Sequence, residues 1–292
     1  MHFKGSMVAL VTPFSEGRLD IPALERLVDF QLSEGTDGLV LCGTTGESPT
    51  LTDEERAEIV QTAVRKAKNK CPIIVGAGTN STAKTLKLSQ RARDLGADAL
   101  MLVTPYYNKP TQAGLYQHFG KVAREVALPI ILYNIPGRTG VAIAEETICR
   151  LFNDFENIVA VKHATGSVEG AASLHAACAI DIISGDDPLT LPLMSVGALG
   201  VISVVANLLP AKVKALTDAW LAGRYEQARA IHDELFPLAK ALLSLETNPI
   251  PIKTAMALND MIREEFRLPM CEMAPANKNE LRQLLSRSGL LK

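Results

Sequence analysis

Lys162 is the one ammonium in the run "IVAVKHATG" (residues 158–166), whose other members are apolar, small or neutral. Unpaired lysines are rarely buried in full, so this charge needs either a partner or a use. A lysine near a strand end often snorkels to the rim or pairs with a carboxylate. The alternative is chemical. On a strand, Ile158, Ala160, Lys162 and Ala164 share one face, and Val159, Val161 and His163 share the other. Alanines beside the lysine leave room around its amine, and a desolvated surrounding disfavours the ammonium form. A neutral amine attacks carbonyl carbon and forms a Schiff base. Each step of that chemistry moves a proton, which is work for nearby hydroxyls.

Polar residues, many of them hydroxyl-bearing, recur at the ends of other apolar runs. They include "GTTGE" (43–47), "TPYYN" (104–108), Tyr133 with Asn134, "GDD" (185–187) and Ser203. Taken singly these are weak signals, because Gly and Thr suit turns and tyrosines are common in cores. Their meaning depends on whether the fold brings them to one rim.

Eight short apolar runs could do so: Val8–Phe14, Gly38–Gly43, Pro72–Gly78, Ala99–Tyr106, Pro129–Ile135, Ile158–Thr165, Asp181–Gly185 and Gly200–Val205. Amphipathic segments separate them, such as "IPALERLVDFQLSEG", where Leu24, Leu27, Val28 and Leu32 fall on one helical face. "TDEE" (52–55) reads as a capping box, and Gly35, Gly96 and Gly223 stand where helices should end. Alternating strands and helices predict parallel βα units, and eight units predict a closed (β/α)8 TIM barrel. An open doubly wound sheet is the competing architecture, but "VTPFSEG" stands where a Gly-rich dinucleotide turn would be. The predicted barrel spans residues 1–224. Residues 225–292 read as a C-terminal helical domain with helices in "YEQARAIHDELFPLAKALLSL", "IPIKTAMALNDMIREEF" and "NKNELRQLLSRSGLL". "ETNPIPIK" reads as a stiff, proline-bearing connector. In a barrel of this kind the active site forms where the strands end, so the lysine and three of the five tyrosines converge there.

Composition narrows the function. The chain has 292 residues, 47% hydrophobic and 21% charged, enough for a large core. Thirty basic and 32 acidic residues, without blocks, give a net charge of -2 and no electrostatic case for nucleic acid or an anionic membrane. Five scattered cysteines without a C-x-x-C pair fit reduced thiols, and no histidines sit at metal-ligand spacing. The N-terminal "MHFKGSMVALVTPF" has no signal-type apolar run, so a cytoplasmic location and no membrane partner are expected.

The ordered set "GTTGES", "VTPYYNKP", "YNIPGRTG", "VKHATG", "SGDD" and "GVISV", with "NPIPIK" and "RLPM" beyond it, resembles the 4-hydroxy-tetrahydrodipicolinate (dihydrodipicolinate) synthase family nearly end to end. The resemblance implies a class I, lysine-dependent pyruvate lyase on a (β/α)8 barrel, assembled as a homotetramer (a dimer of dimers) and needing no cofactor or metal. It implies condensation of pyruvate with L-aspartate 4-semialdehyde, the first step of the lysine/diaminopimelate branch. By resemblance Lys162 forms the Schiff base, and Tyr133 is the adjacent proton donor and acceptor. Thr44 and Tyr107 complete a hydroxyl relay, Tyr107 reaching in from a neighbouring subunit. Thr45 binds the pyruvate carboxylate, Ile202 supplies a backbone contact to pyruvate, and Arg138 holds the carboxylate of the semialdehyde.

Sister enzymes with the same Lys–Tyr pair, N-acetylneuraminate lyase and 2-keto-3-deoxy sugar acid aldolases, are the nearest alternatives. Arg138 favours a short carboxylated aldehyde over a sugar. A non-catalytic keto-acid-binding barrel is a further alternative, opposed by the joint presence of Lys162, Tyr133, Thr44 and Tyr107. Two features depart from the family pattern. His163 follows the lysine where an acidic residue is common; its outward face implies a structural role. Lysine-regulated members bind L-lysine at positions matching Ser48, Pro49, Asp53, Arg56, Asn80, Lys84 and Tyr106. Here Lys84 replaces a glutamate and Arg56 a histidine, so inhibition by L-lysine is expected to be weak or absent.

Overall fold

A computed structural model describes residues 3–291. Eight parallel strands close into a barrel: β1 (Gly5–Ala9), β2 (Gly38–Leu41), β3 (Ile73–Gly76), β4 (Ala99–Val103), β5 (Ile130–Asn134), β6 (Ile158–His163), β7 (Asp181–Ser184) and β8 (Gly200–Ser203). Each strand pairs with its sequence neighbours, and β1 pairs with β8 through Met7 opposite Ile202 to close the ring. The (β/α)8 expectation is met.

Two layers of apolar side chains hold the barrel. Met7, Val40, Ile74, Met101, Ile131, Ala160, Ile183 and Ile202 fill its interior, with Phe3 packed among them ahead of β1. Alternate residues such as Val8, Leu39, Leu100, Leu132 and Val161 face the helices. Fully burying one such side chain stabilises by about 1.5–3 kcal/mol, so a polar group placed inside needs compensation.

The helices between strands are α1 (Ile21–Ser33), α2 (Asp53–Ala67), α3 (Thr82–Asp94), α4 (Gln112–Glu125), α5 (Glu145–Asp154), α6 (Val168–Ala177) and α7 (Thr190–Ser195). The capping box at Thr52 is complete: its hydroxyl accepts from Glu55 N, and Glu55 accepts from Thr52 N. Gly35 and Gly96 follow their helices at φ 80° and 92°, a region that favours glycine. Helix α8 (Pro210–Leu221) packs against β1, and α9 (Tyr225–Ser244) packs on α8. Among the described residues, no helix is long and apolar enough to cross a membrane.

Four sequence expectations are corrected. The first strand ends at Ala9 rather than running to Phe14; Phe14–Ser15 instead pairs antiparallel with Arg18–Leu19 in a small hairpin. The strand alternation at residues 158–164 also breaks. A bulge shifts the register from Ile130 opposite Ile158 to Ile131 opposite Ala160, which leaves Val159 as the extra residue. Ile158 therefore packs outward and Val159 inward, while Ala160, Lys162 and Ala164 keep the interior face. Further on, the two prolines of "ETNPIPIK" sit at the cap and first turn of α10 (Ile250–Ala257) rather than in a connector. That helix stops at Ala257, and Asp260 turns the chain away at φ 57°; the helix expected to continue to Phe266 is absent. The last helix, α11, spans Pro275–Arg287.

Candidate active site

β5 and β6 set Lys162 and Tyr133 side by side. Tyr133 is in register with Lys162, and both are inward-facing and buried. The lysine Nζ lies 4.4 Å from the centroid of the tyrosine ring. Among the described residues no ion pair involves Lys162; its amine lies over the electron-rich face of the tyrosine ring. Space for the amine comes from Ala160 and Ala164 and from Gly185 on the next strand end. A Cβ on Gly185 would lie 2.9 Å from Lys162 Cε and 2.8 Å from Ala164 Cβ.

Asn134, one residue past Tyr133, faces outward and pins the following loop. Its Nδ2 donates to Ile143 O at 3.0 Å, and its Oδ1 accepts from Ile143 N at 3.1 Å. A short turn of helix, Pro136–Thr139, therefore stands at the rim and presents Arg138. Arg138 Nη2 donates to Asn248 O at 3.1 Å. Arg138 and Thr44 line one cavity of about 340 Å³ at the barrel mouth, together with Val103, Ile135 and Asn248. Val103 is in register with Tyr133, so the cavity reaches the strand beside the lysine–tyrosine pair, although neither Lys162 nor Tyr133 lines it.

The turn after β2 is held under strain. Cys42 and Glu47 flank it at φ 53° and 51°, each outside the regions that side chains favour. Thr12 Oγ1 donates to Gly46 O at 2.8 Å on one side. On the other side Lys253, fully buried in α10, pairs with Glu47 at 2.5 Å and also donates to Glu265 O at 2.6 Å. Its ammonium rests against the rings of Phe14 and Phe266. Glu47 Oε2 accepts from Arg267 N at 3.1 Å. Burial lowers the Lys253 pKa, and Glu47 opposes that shift. Asn248 Nδ2 donates to Thr45 Oγ1 at 3.0 Å. The C-terminal segment thus fixes the turn that carries Thr44 and Thr45.

The strand ends opposite are anchored by Asp187. Its carboxylate accepts from the Ser203 hydroxyl and, at 2.8 Å, from Val204 N. Burial pushes its pKa up to about 6, against the pull of those hydrogen bonds.

Lys162 and Tyr133 are therefore brought together, and Thr44 and Arg138 share a cavity at the barrel mouth. Thr45 is buried against Asn248, and Ile202 lies inside the barrel on β8. Tyr107 is not brought to the others within this chain: it is 89% exposed, at φ 74°. His163 is buried on the outward face, its Nε2 2.9 Å from Ser167 O and 2.8 Å from Thr165 Oγ1. Burial holds its pKa below the usual histidine value. Ser48, Pro49, Arg56, Lys84 and Tyr106 line the same cavity as Arg138, whereas Asp53 is paired with Lys87 at 3.2 Å.

Sequence reasoning assigned no role to Asn248, Glu47 or Lys253. Lys253 carries the same signal as Lys162, a lone ammonium in the apolar stretch "IPIKTAMA".

Comparison with known proteins adds to this geometry. The model of the dihydrodipicolinate synthetase family matches residues 2–288. The 4-hydroxy-tetrahydrodipicolinate synthase of Geobacter metallireducens is 49% identical over 291 residues, 99% of this chain and 100% of that protein. The crystal structure of dihydrodipicolinate synthase from Aquifex aeolicus superposes with a TM-score of 0.97 at 48% identity, covering 99% of this chain and 100% of that one. That of the enzyme from Cyanidioschyzon merolae with lysine bound gives 0.95 at 38% identity, covering 99% of each.

Proposed function

Because the chain belongs to the dihydrodipicolinate synthetase family, we propose that it condenses pyruvate with L-aspartate 4-semialdehyde to 4-hydroxy-tetrahydrodipicolinate, opening the lysine/diaminopimelate branch. One observation carries this reading into chemistry: a buried lysine amine lies 4.4 Å from the ring of the in-register Tyr133, inside a barrel whose mouth holds a cavity lined by Thr44 and Arg138. The Lys162 amine attacks the keto carbon of pyruvate, and the carbinolamine loses water to give an imine. Loss of a proton from the methyl group gives an enamine, whose carbon attacks the aldehyde carbon of the second substrate. The amino group of that substrate then displaces Lys162 from the imine carbon and closes the ring, freeing the enzyme.

The Tyr133 phenol is the proton carrier beside the nitrogen, and Thr44 extends the relay toward the mouth. Tyr107 completes it from a neighbouring copy; its 89% exposure supports that arrangement, since its own barrel does not enclose it. The assembly is a homotetramer located in the cytoplasm. Thr45 and the Ile202 backbone bind pyruvate. Arg138, at the rim with one guanidinium nitrogen on Asn248 O, offers its remaining donors to the carboxylate of the semialdehyde. Incubation with pyruvate and borohydride should add one reduced pyruvyl group at Lys162, read by mass analysis of peptides. Labelling at another lysine, or none in active protein, would refute the assignment.

A further inference from the structure

Asn248 touches both groups assigned to substrate carboxylates. Its side-chain amide donates to Thr45 Oγ1 at 3.0 Å, and its backbone carbonyl accepts from Arg138 Nη2 at 3.1 Å. The residue is buried, and its Oδ1 has no partner. A threonine hydroxyl has one proton and two lone pairs. With the Asn248 N–H directed at the oxygen, the hydroxyl proton must point elsewhere. Among the described residues, Thr45 Oγ1 donates to no protein acceptor. Its hydroxyl is thus an oriented donor without an acceptor, in the turn at the barrel mouth.

We infer that Asn248 is a positioning residue that fixes the polarity of the Thr45 hydroxyl, so that this end of the site accepts an anionic 2-oxo acid rather than a 2-oxo compound bearing a donor there. The inference rests on the reading of Thr45 as the pyruvate carboxylate binder. The amide acts on a turn that is independently anchored, since Glu47 is held by Lys253 and Arg267. A change confined to the Asn248 side chain therefore alters hydroxyl direction while those anchors hold the turn in place.

Asn248→Asp keeps the shape but replaces the donor with an acceptor. Thr45 must then donate to the new carboxylate, and bound pyruvate meets a lone pair and a negative charge. The KM for pyruvate should rise about tenfold or more, the factor that 1.4 kcal/mol represents. In a Thr45→Val background, where no hydroxyl remains to be oriented and only the added charge acts, the same substitution should raise it clearly less. Asn248→Ala, which removes the donor without adding charge, is the decisive variant: its smaller rise should fall below about threefold, roughly 0.65 kcal/mol, in the Thr45→Val background. Thermal unfolding confirms that each protein is folded. An equal rise in both backgrounds, or none in either, would overturn the role of Asn248 while leaving Thr45 in place. If Thr45→Val alone leaves the KM for pyruvate unchanged, the reading of Thr45 fails and this inference fails with it.

Discussion

Gly185 sits where the seventh strand ends, with Lys162 on its flank, and Gly185→Ala tests how tightly the proposed nucleophile is placed. The added Cβ would approach Lys162 Cε to 2.9 Å, Lys162 Cγ to 3.1 Å and Ala164 Cβ to 2.8 Å. The closest of these fall about 0.5 Å short of the 3.4 Å at which ordinary contact begins. The φ of Gly185 lies outside the left-handed region, so alanine adds no backbone strain. Overpacking of this kind costs about 1–3 kcal/mol, partly offset by about 0.4–1 kcal/mol from a stiffer unfolded chain. The fold should survive. The amine should not keep its position, because the lysine stem is the neighbour freest to move. A misplacement near 1 Å costs about 10²-fold in rate, so a shift of half that predicts roughly a tenfold loss. The assay is the initial rate of imine trapping with pyruvate and borohydride, beside thermal unfolding. Gly137→Ala, on the same rim but with nothing within 4 Å of its Cβ, is the control and should trap at the normal rate. A Gly185→Ala protein that traps pyruvate as fast as the parent would refute the argument that this glycine sets the nucleophile.

Three further outcomes are expected. Arg138→Ala should raise the KM for aspartate semialdehyde by about 10-fold or more, the loss of a charge-assisted pair, while pyruvate trapping changes little; equal losses for both would mark Arg138 as structural. Lys253→Met leaves Glu47 buried beside an apolar side chain and should destabilise by about 3–5 kcal/mol, whereas pairing it with Glu47→Gln should recover part of that loss. Denaturant unfolding of the single and double variants checks this, and additive losses would count against a coupled pair. L-Lysine should not half-inhibit below about 1 mM at saturating pyruvate. Arg56 and Lys84 put cations in the cavity at the matching positions, and Asp53, the nearby carboxylate, is already engaged by Lys87; half-inhibition at lower concentration would refute this.

Much of the site was legible because it is written in single strands. A lysine flanked by alanines, in a run otherwise apolar, points inward from its own neighbours, and a tyrosine ending the preceding run must stand beside it once the strands are parallel. Local reasoning failed where a partner strand altered the count. The bulge opposite Ile130 and Ile131 reversed Ile158 and Val159, and nothing within residues 158–164 announces it. The charged and apolar spacing of residues 258–266 imitates a helix, yet that stretch serves as a strap: Glu265 and Arg267 supply backbone groups to Lys253 and Glu47. Asn248 and Lys253 were hidden by distance, since their partners Thr45 and Glu47 lie 203 and 206 positions away.

That separation has a consequence for the order in which the protein is made. Synthesis runs from the amino terminus, so all eight strands and Lys162 exist before Asn248, Lys253 and Arg267 have been joined to the chain. The turn bearing Thr44 and Thr45, strained at both shoulders, then keeps its own backbone bonds and the bond from Thr12 to Gly46 but lacks every anchor from the C-terminal segment. A nascent or prematurely terminated chain would carry a reactive amine without the clasp that shapes the place for its substrate. Competence arrives only with the closing stretch of the polypeptide, and a nonsense mutation shortly before residue 248 should leave a barrel that is chemically idle.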